Sequence, residues 1–206
     1  MQALQERGSV RVGSLYGYRE TETHGEMVSD ASEGKKVMSG VISSLTPDNL
    51  PKYPGLNKLV SFSYGKIENL QILGRKEVSP NCLIFSASTE YSQSTHQSWL
   101  DKEGYEACYR IMSTRLFLKA ISRQLDLLGY KFWGCAPIHY TDEIDIASPS
   151  ADIHPALCKK PIFSPQKEIR AIWRPVTDKP VDRHIDLDTS EAFRYVTVHR
   201  TLTKSS

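Results

Sequence analysis

The chain has 206 residues, 39% of them hydrophobic, with 26 Lys and Arg against 24 Asp and Glu for a net charge of +2. That length fits one globular domain, 1–206, with a sizeable core, and so small a net charge creates no field that would by itself mark a nucleic-acid or membrane binder. No apolar run reaches the roughly 18 residues of a membrane span, and the polar opening Met-Gln-Ala-Leu-Gln-Glu-Arg lacks the apolar stretch of a signal peptide, so a cytoplasmic protein with no membrane partner is expected.

In chain order, residues 9–19 alternate Val10, Val12 and Ser14 and continue into Tyr16 and Tyr18, a strand pattern that ends at Tyr18-Arg19. Residues 20–34 are acidic and polar without helical period, so they read as a long loop, mobile without ligand. Short β-branched and aromatic runs at 36–45 and 58–64 predict strands on either side of the prolines at 51 and 54. Asn81 to Thr89 reads as a buried strand, apolar at its start and hydroxyl-rich at its end, followed by a polar stretch from Glu90 to Gln97.

Tyr105 to Ile111 alternates as a further strand. Ser113 then caps a helix whose stripe of Phe117, Ile121, Leu125 and Leu128 stops at Gly129. Residues 130–140 resume sheet, 141–160 are loop-like, and Ala192 to His199 forms a last strand. The sum is an α+β fold with a mixed, mainly antiparallel sheet core and one well-marked helix.

The densest information lies in residues 163–173. Ser164-Pro165 fixes a bend, after which Ile169, Ala171 and Trp173 share one face of a strand and Glu168, Arg170 and Ile172 share the other. A carboxylate held at the mouth of a rigid strand is suited to stabilising a cation. The plainer reading is an exposed charge pair of Glu168 with Arg170 on an edge strand. The four cysteines, at 82, 108, 135 and 158, form no Cys-x-x-Cys pair, and the six histidines show no i, i+4 pair, so a metal is not expected.

Three pieces taken together resemble the ADP-ribosyltransferase superfamily of the Arg, Ser, Glu class. They are Tyr18-Arg19 at the end of an early strand, Phe85 followed by Ser86, Ser88 and Thr89, and Gln166-Lys167-Glu168 at a turn entering a late strand. The resemblance implies an NAD-dependent transferase in which Arg19 contacts the phosphates of NAD, Ser86, Ser88 and Thr89 shape the nicotinamide pocket, and Glu168 stabilises the ribosyl oxocarbenium ion. Gln166 at the first position of that turn is associated with asparagine or guanine acceptors, hence a protein or nucleic-acid partner. The hydroxyl cluster departs from the family's Ser-Thr-Ser, and Arg11 competes with Arg19 for the phosphate role. The chain also looks like an uncharacterised bacterial and phage family with an Asp-x-x-Glu-Gly loop, here Asp30, Glu33 and Gly34, which suggests a setting of conflict between phage and bacterium. Two other classes stand beside the transferase: a non-enzymatic binding or inhibitor protein whose acidic loop 20–34 docks a basic partner, and a hydrolase or nuclease using Asp30, Glu33 and Glu168 around Mg²⁺.

Overall fold

The computed structural model describes residues 9–19, 30–56 and 59–203. Most of the acidic loop, residues 20–29, lies outside them. The chain divides into two compact units, one of residues 1–31, 81–137 and 165–206 and one of residues 32–80 and 138–164. The sheets are mainly antiparallel and the helices few, as an α+β reading requires.

The first unit is built on a five-stranded antiparallel sheet. Its strands are β1 (Ser9–Ser14), β4 (Leu83–Ser88), β6 (Tyr130–Pro137), β10 (Glu168–Pro175) and β11 (His184–Asp188), in the order β11-β1-β4-β10-β6. Helix α2 (Thr114–Leu127) packs on one face because its stripe of Phe117, Leu118, Ile121 and Leu125 meets Val10, Val12, Leu83, Ala171 and Trp173 in one buried cluster. Trp173 is fully buried and satisfies its indole N–H on Ser122 Oγ at 2.9 Å. The helix starts after Ser113 and stops before Gly129 (φ +82°) as its sequence pattern implies, although Leu128 falls off the buried stripe and is 44% exposed. A second, two-stranded sheet pairs β5 (Ala107–Ile111) with β12 (Val196–Thr201).

The second unit has its own core of Met38, Ile42, Leu45, Leu56, Ile144 and Ile146. There β2 (Lys35–Leu45) pairs antiparallel with β3 (Ile67–Val78) and parallel with β8 (Ile144–Asp145), and β7 (His139–Tyr140) runs parallel to β9 (Cys158–Lys159). Lys36 is buried among these elements with its ammonium fully used: it donates to the carbonyls of Ala151 at 2.7 Å and Ile153 at 3.0 Å and pairs with Glu77 at 2.8 Å. Three acceptors around one ammonium are what makes a buried lysine tolerable.

Several expectations change. The early strand ends at Ser14, and Tyr18 and Arg19 belong to the 3-10 turn Gly17–Arg19. The strand expected at 58–64 is absent among the described residues of that stretch, and Ile67–Val78 forms the partner of β2 instead. The polar stretch after Thr89 becomes a helix, α1 (Gln93–Glu103), capped by Ser92 Oγ accepting from the Thr95 amide and ended at Gly104. A one-turn helix, α3 (Ser190–Phe193), precedes β12. No helix among the described residues is long and apolar enough to cross a membrane.

If the α2 stripe holds the first unit together, Ile121→Ala should cost about 2–5 kcal/mol. Leu127→Ala on the same helix, at a side chain 84% exposed, should stay within about 0.5 kcal/mol. Urea unfolding followed by circular dichroism separates the two.

Candidate functional site

Strand β10 lies between β4 and β6, so it is a central strand and not an edge. Its register against β4 sets Glu168 opposite Ser88 and Arg170 opposite Ser86. Because Ala171 and Trp173 point into the α2 core, Glu168, Arg170 and Ile172 occupy the other face. The alternation read from sequence therefore holds, but the pair is not exposed: Glu168 is 6% and Arg170 1% accessible.

Glu168 Oε1 gathers three donors. Ser86 Oγ donates at 2.5 Å, Arg170 Nε at 2.9 Å and Arg170 Nη2 at 2.6 Å. Hydrogen bonds to an ionised oxygen are the strong kind, and two of the three come from a guanidinium whose fork is fixed by its own strand. Glu168 is thus held by Arg170 of its own strand and by Ser86 of β4 rather than free at a mouth.

The turn ahead of Glu168 is fastened to the end of β4. Lys167 takes a left-handed backbone (φ +46°), and its carbonyl accepts from the Thr89 amide at 2.8 Å and Thr89 Oγ1 at 3.0 Å. Ser88 Oγ donates to the Gln166 carbonyl at 2.6 Å. Ser86, Ser88, Thr89, Gln166 and Glu168 are therefore one stitched cluster, although 78–82 residues separate the partners in sequence. Three hydroxyls at a strand end close a turn here and at the same time orient the carboxylate.

Tyr18 and Arg19 are placed differently. β1 ends at Ser14 opposite Leu83, the far end of β4 from Ser88. The chain then turns so that the Tyr18 ring comes back over Gly13, where an added Cβ would fall 2.7 Å from it and push the ring aside. Gly13 alternates with the core-facing Val12 and shares its face with Arg11, so Tyr18 lies on the face that carries Glu168. The Arg19 guanidinium stacks on Tyr16 at 3.8 Å from the ring centroid.

Arg11, the competing arginine, is on β1 itself and on the Glu168 face. It grips Asp186 of β11 in a two-pronged pair at 2.7 and 2.9 Å. That hydrogen bond holds the Asp186 carboxyl below its usual range. A depressed carboxylate contributes stability above its ordinary pKa and loses it as pH falls through the lower folded value; with both side chains more than half exposed, solvent screening keeps the contribution small.

The alternative readings gain less from the geometry. Asp30 and Glu33, the described acids of the loop 20–34, are 4% and 1% accessible, so neither is presented to a basic partner. Glu33 lies 3.8 Å from the buried Lys159. Among the described residues no group of three or more His, Cys, Asp or Glu side chains could hold a metal ion, which leaves the reading with Asp30, Glu33 and Glu168 around Mg²⁺ without a site.

Arg170 is the member that sequence reasoning placed wrongly. The signal was available: Ile169, Ala171, Ile172 and Trp173 form a nearly continuous apolar run, the mark of a strand covered on both faces. No protein-family model, characterised protein or solved structure matches the chain.

Breaking the pair from one side should be costly. Arg170→Ala or Glu168→Ala should each lose about 3–5 kcal/mol, because a buried charge is left behind, while the double replacement by methionine should cost less than either single change. Denaturant titration of the four chains tests this, and a double variant as unstable as the singles would mean that the pair itself is not what the site needs.

Proposed function

We propose that the chain is an NAD-dependent ADP-ribosyltransferase with Glu168 as its catalytic carboxylate and a protein or nucleic-acid acceptor. The observation that carries the reading is the Ser86 Oγ to Glu168 Oε1 hydrogen bond at 2.5 Å, which fixes the carboxylate within a cluster of hydroxyls and a Gln-x-Glu turn assembled from two distant pieces of sequence.

Breaking the bond between the ribose C1′ and nicotinamide leaves electron deficiency on the ribose ring, while the pair of bonding electrons departs on nicotinamide, which leaves neutral and needs no acid. A carboxylate already oriented before the reaction stabilises that developing cation more than it stabilises the ground-state sugar. Arg170 fixes Glu168 in orientation at the expense of part of its field, so the gain comes from preorganisation more than from bare charge. The acceptor then forms the new bond to C1′, and its proton passes to solvent. Gln166, half-buried at the start of the turn, would meet an acceptor amide or base edge with a neutral donor and acceptor pair. Tyr18, on the same face of the sheet, and Arg11 or Arg19 supply the aromatic and cationic groups that a dinucleotide requires.

Label transfer from ³²P-NAD to bacterial protein and nucleic-acid fractions tests the reading, with EDTA present throughout. Glu168→Gln keeps shape and hydrogen bonding, so its folded fraction, checked by thermal melting, should show transfer reduced by at least about 10²-fold. Ser86→Ala should lower the rate more than it raises the KM for NAD, because the hydroxyl that orients the carboxylate is lost while the phosphate contacts that dominate dinucleotide binding remain. Full transfer by folded Glu168→Gln would sink the proposal.

A further inference from the structure

The first unit contains a pocket of about 840 Å³ on the α2 side of the sheet. Its floor is apolar, with Phe85 and Ala87 of β4, Ile169 of β10, Phe117 of α2, Ile111 of β5 and Trp99 of α1. Ser86, Ser88 and Thr89, which the transferase reading gives to the nicotinamide pocket, border it, whereas Glu168, Arg170, Tyr18 and Arg19 are not among its lining residues, so the occupant inferred here does not rest on the catalytic role of Glu168. The volume falls within the range of small-molecule sites, and such sites combine apolar walls with a few fixed polar groups.

Aromatic surface dominates. Phe85 and Phe117 meet with ring centroids 5.2 Å apart, and at the rim Tyr91 stands edge-on to His199 at 4.8 Å and to His96 at 5.9 Å. The His96 ring is positioned rather than loose, with Nε2 3.2 Å from the Glu106 carbonyl and Nδ1 3.4 Å from the Tyr91 hydroxyl. Trp99 stacks on Tyr105 at 5.6 Å, and its Nε1 is buried with no hydrogen-bond partner among the described residues. A buried donor without a partner carries a desolvation cost that an acceptor on a ligand would relieve. Glu90 is the one carboxylate among the described residues of the lining, with Lys167 3.8 Å from it, while Arg110 adds a cation.

We infer that this pocket binds a flat aromatic small molecule that carries a hydrogen-bond acceptor or anionic group. The walls fit ring faces and edges, and the unpartnered Trp99 indole N–H and the Arg110 guanidinium are the donors that would meet such a group.

The test uses 8-anilinonaphthalene-1-sulfonate, which combines a fused aromatic ring with a sulfonate acceptor, on the full chain in its folded state. One saturable site is expected by fluorescence titration. Cys135 lines the pocket and is exposed, so its labelling by monobromobimane, read on its peptide by mass spectrometry, should slow several-fold when the dye is bound. Ala87→Trp should fill the floor and weaken the dye by about tenfold or more without lowering the melting temperature. Trp99→Phe should remove the preference for the dye over N-phenyl-1-naphthylamine, which lacks the sulfonate. Dye that binds at many weak sites, or that leaves Cys135 labelling unchanged, overturns the inference. Should Ala87→Trp fail to fold, protection of Cys135 in the unaltered chain decides alone.

Discussion

The pairing of β4 with β10 is the constraint on which the first unit depends. One register brings Phe85 and Ala171 to the helix side, Ser86 and Arg170 to the other, and Ser88 beside Glu168. A slip by a single residue would turn Trp173 out of the core and drive Glu168 and Arg170 into it, so the apolar face fixes the polar one. The site is in this sense a by-product of burying Trp173 and Ala171 against α2. What selects its chemistry is the set of side chains that the register leaves on the far face.

The buried ion pair sets a second condition. Desolvating a carboxylate and a guanidinium costs more than their attraction returns unless every donor finds an acceptor. Three donors on Glu168 Oε1 are the local answer. The pair is better regarded as an orienting device than as a source of stability, because two well-packed apolar residues would serve the sheet at least as well. Its presence in a central strand is the reason for seeking a function at Glu168.

How much of this could be read from sequence follows from what each signal reports. Helix α2 was legible because Phe117, Ile121 and Leu125 repeat at helical spacing between Ser113 and Gly129. The faces of β10 were legible because alternation is local. Helix α1 was not, since its 11 residues bury chiefly His96 and Leu100 and present no apolar stripe; only Ser92 and Gly104 marked its ends. Strand β3 was hidden for the same reason, being an edge strand exposed along most of its length. The burial of Glu168 and Arg170 could not follow from the two-residue period, which tells which side chains share a face and not what covers that face. Tyr16 and Tyr18 keep the strand's parity and so carry no sign of its end, whereas the backbone leaves β1 at Ser14 and turns.

Strands β1 and β4 are joined by only two register pairs, Gly13 with Ile84 and Ser14 with Leu83, while β1 keeps five with β11 and β4 keeps six with β10. The sheet is therefore forked, with β11 and β1 as one prong. Beyond the fork that prong is held by Val10, Val12 and Leu187 in the apolar cluster beneath it and not by a continuing ladder to β4. Adhesion of that kind is non-directional and weakens on cooling, whereas a ladder resists sliding through aligned bonds. The β11 and β1 prong is thus the part of the sheet whose attachment to the rest leans more on apolar burial than on aligned hydrogen bonds.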